Sequence, residues 1–442
     1  MNRTYCEGGN IDIKINWKKI IAAAGLGISV FACAGCDGKK TTEVKENKGT
    51  LKICVESYFE QDMKILIDAW EYFNKGLKAE LVVIPSDRDE AEIKVSEIRT
   101  EILAGGGPDV FLMYNRDPLL WLYEPTSSTP SLFPNPEKAM HTGVFLPLDS
   151  YMENARYYNP EHYNQMIMEA GKTEEGQCLL PLTYDYRVSY LKEHQEHPIQ
   201  MPLPSWESLV SGEAGIPSTM LQFVNYSFFD LLGEYADYAN KKMLISEEEL
   251  YEYVREAIDY GKLAENGPEA EGMVWAEETC ASFFLDGTTF STQNPNSLLA
   301  LPNRDGGINA NISSYVGINK NTTKPSQAFS FLDLLLSDEI MTLSGFWVEE
   351  ENKFKGSGVH TDRFGVSVNE KRFETWCKLL PDDTKKAFRE LNSQISSVRF
   401  YSDLDLELQS MRDKCREADG DEEKQRKIVA ETYERMELKL AE

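Results

Sequence analysis

A triple glycine, a proline and four consecutive apolar residues place the tightest constraint on this chain. The stretch Ala104 to Asp117 reads AGGGPDVFLMYNRD. Its glycines and Pro108 end a helix, and Val110 to Met113 read as a buried strand. Tyr114, Asn115, Arg116 and Asp117 emerge at that strand's carboxyl end. In open α/β sheets the crevice outside those ends is where ligands bind. Gly105 to Gly107 are not a phosphate cradle, because they precede the strand, whereas a phosphate loop follows a strand and opens a helix. They read as a turn.

The flanking pattern supplies the rest of a sheet. Leu51, Ile53 and Val55 alternate as a strand, and Met63, Leu66, Ile67, Trp70 and Phe73 recur at helical spacing. Leu81 to Ile84 form a second strand stopped by Pro85, and Val95, Ile98 and Ile102 mark a second helix. Strand, helix, strand, helix, strand predicts a parallel α/β sheet. The loop Glu56, Ser57, Tyr58, Phe59 then shares an edge with Tyr114 to Asp117. Asp109, within the Gly-Pro-Asp turn, reads as a turn residue.

Further along, Pro118 to Met140 reads as surface loop and Gly143 to Asp149 as an edge strand or turn. Leu179 to Arg187 is an apolar segment that turns abruptly polar and aromatic. Ser246 and Glu249 make a capping box before a helix with Leu250, Val254, Ala257 and Ile258 on one face. Tyr315 to Ile318 is a short strand, and Ala328, Phe329, Leu332, Leu335 and Leu336 form the stripe of a following helix. The tail from Asp382 reads as helical and highly charged. No internal repeat is present.

With 442 residues the chain is long enough for two or three domains. Its 73 acidic residues exceed its 46 basic ones by 27, which argues against nucleic acid as a ligand, since a phosphate backbone would be repelled. Lys14, Lys18 and Lys19 precede the apolar run Ile20 to Phe31, whose 12 residues suit a secretory signal and are too few to span a bilayer. Ala32-Cys33-Ala34-Gly35-Cys36 follows at once. This resembles a bacterial lipoprotein signal, with Cys36 as the lipidated residue and 37–49 as a flexible tether. The alternative use of Cys33 and Cys36 as a redox dithiol would need a thioredoxin-like strand before them, and a signal stands there instead. The five later cysteines have no metal-type spacing and imply no disulfide framework.

Six pieces now stand in a recognisable order: the lipoprotein cysteine, Leu103 to Phe111, Leu180-Pro181 with Asp185, Pro204 to Leu209, Tyr315 to Asn319, and Pro325 to Glu339. Together they resemble the bacterial extracellular solute-binding proteins of family 1, the maltose-binding-protein-like receptors of ABC importers. One departure is Asn294-Pro-Asn-Ser297, where sugar binders of the family often carry a tryptophan. The resemblance implies an α/β, two-lobe, periplasmic-binding-protein-like fold of type II, with a hinge and a central ligand cleft. Residues 1–36 would be the signal, 50–186 with 314–343 the first lobe, and 187–313 with 344–442 the second. The chain would cross between lobes near Tyr184 to Val188, Asn309 to Tyr315 and Ser344. The implied molecule is a monomeric receptor on the outer face of the cell membrane. It would hand a carbohydrate, an oligosaccharide above all, to permease subunits, with no catalysis, cofactor or metal.

A neutral sugar offers hydroxyls and flat CH faces, so its site needs polar side chains and aromatic rings. By alignment with the family's pattern, Glu56, Ser57, Tyr58, Phe59, Tyr114, Asn115, Arg116, Asp117, Tyr184, Asp185, Tyr186 and Arg187 line the cleft, with Tyr226, Trp275 and Trp347 from the second lobe. Two other readings stay open. A surface-anchored carbohydrate hydrolase would need paired carboxylates, which any set of 73 acidic residues offers, and no Gly-x-Ser-x-Gly elbow is present. The same fold could also take a polyamine, a peptide or a ferric ion.

Overall fold

A computed structural model describes residues 49–116, 130–191, 205–211, 228–266, 275–279, 298–338, 340, 346–348, 353–355, 365–377 and 382–442. Strand β1 (Leu51–Glu56), helix α1 (Glu60–Phe73), β2 (Ala79–Ile84), α2 (Arg88–Leu103) and β3 (Val110–Tyr114) alternate as the sequence pattern predicts. β1 pairs in parallel with β2 on one side and β3 on the other. Every β1 residue except Lys52 is buried, because helices cover both faces of a parallel sheet. Asp87 caps α2 by accepting from the Glu90 N–H at 3.1 Å. Gly105 and Gly107 then turn the chain at φ of +81° and +94°, a region open to glycine at no steric cost. Asp109 anchors that turn: it accepts from the Lys52 N–H at 2.8 Å and Thr322 Oγ1 at 2.6 Å, and pairs with Lys324 at 2.6 Å.

The remaining elements used below are β4 (Leu179–Asp185), β5 (Arg187–Leu191), α3 (Phe228–Leu231), α4 (Glu247–Asn266), β6 (Trp275–Thr279), β7 (Leu298–Ala300), β8 (Ile308–Ile318), α5 (Pro325–Leu335), β9 (Val366–Ser367), α6 (Asp382–Asn392), β10 (Ile395–Phe400), α7 (Asp403–Glu417) and α8 (Glu422–Ala441). The main sheet runs β2-β1-β3-β8-β4-β9, with β10 also on β8. β5, β6 and β7 form a separate antiparallel sheet.

β8 is the spine of the molecule. Its carboxyl half, Ser314 to Ile318, pairs antiparallel with β3, while its amino half, Ile308 to Ile312, pairs in parallel with β10. β4 flanks it on the other side from Asn311 to Gly317. All eleven residues of β8 are buried. Only Tyr315 to Ile318 read as strand in the sequence, because Asn309, Asn311, Ser313 and Ser314 interrupt the apolar run. Those polar groups are satisfied inside: Ser314 Oγ lies 2.6 Å from Thr183 Oγ1, and Ser397 Oγ donates to Asn309 Oδ1 at 2.6 Å.

Two hydrophobic cores result. The larger packs the main sheet against α1, α2 and α5. The smaller joins Phe228 and Phe229 with Tyr253 of α4, Leu408 and Met411 of α7, and Val429 and Met436 of α8. Segment 365–400, assigned to the second lobe by the resemblance, contributes Val366, Phe373, Phe388, Ile395 and Phe400 to the larger core.

Two sequence expectations need correction. Within the supposed surface loop Pro118 to Met140, Leu132 and Phe133 are buried, and Phe133 meets Phe111 edge-on at 5.1 Å. A short helix, Pro136–His141, follows with Asn135 as its cap. The prolines and serines signal a break in periodicity, and burial there comes from packing that no period reveals. The tail is not wholly helical either, since β10 interrupts it. Its residues ISSVRF alternate weakly, and the edge that holds them is offered by β8, far away in sequence.

Candidate functional site

Strands β1, β3 and β4 run the same way, because β3 and β4 are both antiparallel to β8. Their carboxyl ends therefore share one edge of the sheet. From β1 the chain passes by α1 to β2 on one side, and from β3 it continues to strands on the other. The gap between β1 and β3 is thus a topological switch point, where connections diverge and leave a crevice.

Glu56 closes β1 at this gap and is buried. Its Oε1 accepts from the Tyr114 N–H at 3.1 Å, and its Oε2 accepts from the Arg116 guanidinium, so one carboxylate ties both loops together. The guanidinium carbon of Arg116 lies 5.5 Å from the Tyr58 ring centroid and 5.6 Å from that of Tyr114, within cation–π range of both. The turn Ser57–Phe59 sends Phe59 into the core at 0% exposure and leaves Tyr58 at 40%.

Asn115 has a different position. β3 and β10 approach the middle of β8 from opposite ends, and Asn115 sits where they meet. Its N–H donates to the Ser313 carbonyl at 2.7 Å. Its side chain accepts from the Tyr401 N–H at 2.7 Å and donates to the Tyr401 carbonyl at 3.0 Å. Tyr401 packs in the smaller core, so this amide stitches the two cores together.

The β4–β5 connection is the second junction. Tyr184 is buried, and its hydroxyl accepts from Asn392 Nδ2 at 2.7 Å. Tyr186 stacks on Phe388 with centroids 6.4 Å apart. Asp185, also buried, accepts from the Tyr186 N–H at 2.9 Å. Arg187 Nε pairs with Asp230 Oδ2 at 3.3 Å, and the other Asp230 oxygen accepts from Asn311 Nδ2 at 2.8 Å. The two strands that link the cores, at Asp185 to Arg187 and at Asn311, are therefore coupled through one carboxylate of α3.

The sequence reading missed the group behind this junction. Buried Arg399 of β10 pairs with Asp405 at 2.8 Å, donates to the Phe229 carbonyl at 3.0 Å and lies 5.2 Å from the Tyr235 ring. Burial works against its charge, yet Asp405, Tyr235 and Asp230 outweigh that and hold it more firmly protonated than an ordinary arginine. Glu137 accepts from the Phe400 N–H at 2.9 Å. Its carboxyl is pushed up to about 7 by burial and by Glu234 and Asp405, against the opposing pull of the Phe400 N–H and Arg399. A lone arginine in a charged tail carries no signal that it will be buried.

Of the other candidates, Asp117, Tyr226 and Cys36 lie outside the described residues. Trp275 opens β6 opposite Leu191, and Trp347 stands opposite Phe354 in a hairpin of Phe346–Val348 with Lys353–Lys355. Among the described residues, no group of three or more His, Cys, Asp or Glu side chains is placed to hold a metal ion. No helix among them is long and apolar enough to cross a membrane.

No protein-family model matches the chain, and no curated protein sequence matches it. Solved structures do. An extracellular solute-binding protein of family 1 from Alicyclobacillus acidocaldarius is 11% identical, with 89% of this chain and 99% of that one covered at a TM-score of 0.55. A periplasmic oligogalacturonide-binding protein from Yersinia enterocolitica is 13% identical, with 88% and 99% covered and a TM-score of 0.54. A de novo designed esterase is 12% identical, with 89% and 100% covered, also at 0.54. At such identities the likeness establishes the fold alone: this chain has a two-lobe α/β fold like that of extracellular solute-binding proteins of family 1.

Proposed function

We propose that the chain is a receptor that captures a carbohydrate, an oligosaccharide above all, between two lobes and passes it unaltered to the permease of an ABC importer. The observation that carries this reading is the gathering of Glu56, Tyr58, Tyr114 and Arg116 at the β1–β3 switch point, next to two strands that link the cores. Polar groups beside aromatic rings suit sugar hydroxyls and CH faces. The oligosaccharide ligand named for the Yersinia protein of the same fold supports the choice. Closure would work about the two junctions, at Asn115 with Ser313 and at Asp185 to Arg187, as lobes hinge around a ligand.

The same proposal places the protein on the outer face of the membrane, tethered through Cys36. Replacing Cys33 and Cys36 together should abolish labelling by fatty acid, and continued labelling would refute the anchor. On this reading the lobes would follow the two hydrophobic cores, with Val366, Phe373, Phe388, Ile395 and Phe400 in the first.

The designed esterase of the same fold makes hydrolysis the second reading. One experiment separates the two. The chain from Lys48 onward is screened by thermal shift against oligosaccharides, polyamines and peptides, and the ligands are then recovered and analysed. A ligand present at 100 times its dissociation constant stabilises by about 2.7 kcal/mol. A shift with an intact sugar supports the receptor. Cleaved sugar supports the hydrolase, and a shift only with polyamine or peptide moves the ligand class.

A further inference from the structure

We infer that Arg116 is a positioning residue for carbohydrate, holding the rings of Tyr58 and Tyr114 as a paired aromatic platform at the mouth of the β1–β3 crevice. The inference rests on the receptor reading above. Its basis is an asymmetry within four groups. Tyr58 is 40% exposed on a three-residue turn, where a tyrosine would ordinarily sample several rotamers. The Arg116 side chain below it is only 8% exposed, and that of Glu56 only 6%. A charge so far withdrawn from water is held by its partner: Glu56 binds the guanidinium with one oxygen and the Tyr114 N–H with the other.

Arg116 thus meets both rings from a fixed place, 5.5 Å from one centroid and 5.6 Å from the other. Because its charge is engaged by Glu56, Arg116 acts on a ligand through the exposed Tyr58 ring and its neighbour rather than by its own charge. Such a surface matches the CH face of a pyranose ring. Rings fixed before binding lose little freedom on stacking, so the gain is in affinity. Lysine would keep the charge and lose the flat, stacking guanidinium.

Calorimetric titration of the full-length chain tests this, using as probe whichever of maltotriose, cellotriose, xylotriose and mannotriose raises Tm most. Tyr58→Ala should weaken binding at least tenfold and Tyr58→Phe less than threefold, since the ring face is what matters. Arg116→Lys should weaken binding at least fivefold in the native background and by a smaller factor in the Tyr58→Ala background, where only the Tyr114 ring is left for it to hold. The paired change E56Q/R116M removes both buried charges together and should also cost at least fivefold. Equal losses from Arg116→Lys in both backgrounds, or no loss in either, overturn the inference while leaving the receptor reading intact. A native chain that binds no carbohydrate in the thermal-shift screen overturns both.

Discussion

At the scale of single residues, the junctions between the cores rest on few groups, and two make distinct predictions. Asn115 satisfies both backbone groups of Tyr401 with one amide, in a place where water does not reach. Asn115→Ala removes both of these buried hydrogen bonds, and a buried group that loses its partner costs about 1–3 kcal/mol. A loss of about 3 kcal/mol in urea unfolding is expected, and a loss below 1 kcal/mol would show that the stitch is dispensable. Glu137 gives a pH signature. Its carboxyl sits at about 7 in the folded chain against an ordinary 4.5, so the folded state holds the proton more tightly. The stability linked to this group is complete below about 4.5 and is lost as pH rises through about 7. Glu137→Gln keeps an acceptor for the Phe400 N–H and cannot ionise. It should match the native chain near pH 4.5 and exceed it in stability at pH 8, as measured by denaturant unfolding at both.

At the scale of elements, β8 decides how the sheet assembles, and one glycine sets how closely its neighbours pack. A Cβ added at Gly317 would lie 2.6 Å from Leu179 Cδ2 and 2.8 Å from Phe145 Cδ1. Gly317→Ala should therefore destabilise the fold by about 1–3 kcal/mol through overpacking. A thermal unfolding midpoint unchanged from the native chain would contradict that. The same strand shows what a sequence can and cannot disclose. β1, α1, β2, α2 and β3 were legible because their periods repeat within a few residues of one another, and the capping box at Ser246 was legible because it is local. The first seven residues of β8 were not. Asn309, Asn311, Ser313 and Ser314 look like loop until Ser397, Asp230 and Thr183 arrive from distant elements to satisfy them. The site divides in the same way: the sequence grouped Glu56, Tyr58, Tyr114 and Arg116 at one sheet edge, while Asn115 among them turned out to join strand ends. Asp230, Arg399 and Asp405 escaped notice because their partners are set by tertiary packing alone.

At the scale of the whole molecule, charge separates the candidate ligands. The formal net charge is −27, yet among the described residues Arg116 is matched with Glu56, Arg187 with Asp230 and Arg399 with Asp405 beside the switch point and the junction. The excess negative charge spread over the rest of the chain acts on a ligand as a long-range field. Such a field is screened over about 10 Å at 0.1 M salt and about 3 Å at 1 M. A neutral oligosaccharide has no net charge for the field to act on, so its affinity should change less than twofold between 0.05 and 0.5 M sodium chloride. A polyamine drawn to the acidic surface should lose at least tenfold over the same range. Titrations at the two salt concentrations, with any sugar and any polyamine that raise Tm, give the comparison directly. Salt-insensitive sugar binding identifies contacts made within the crevice, where rings and hydrogen bonds act at short range. Sugar affinity that falls tenfold with salt would mean that a charged group of the ligand is being read, and the neutral-sugar assignment would fail.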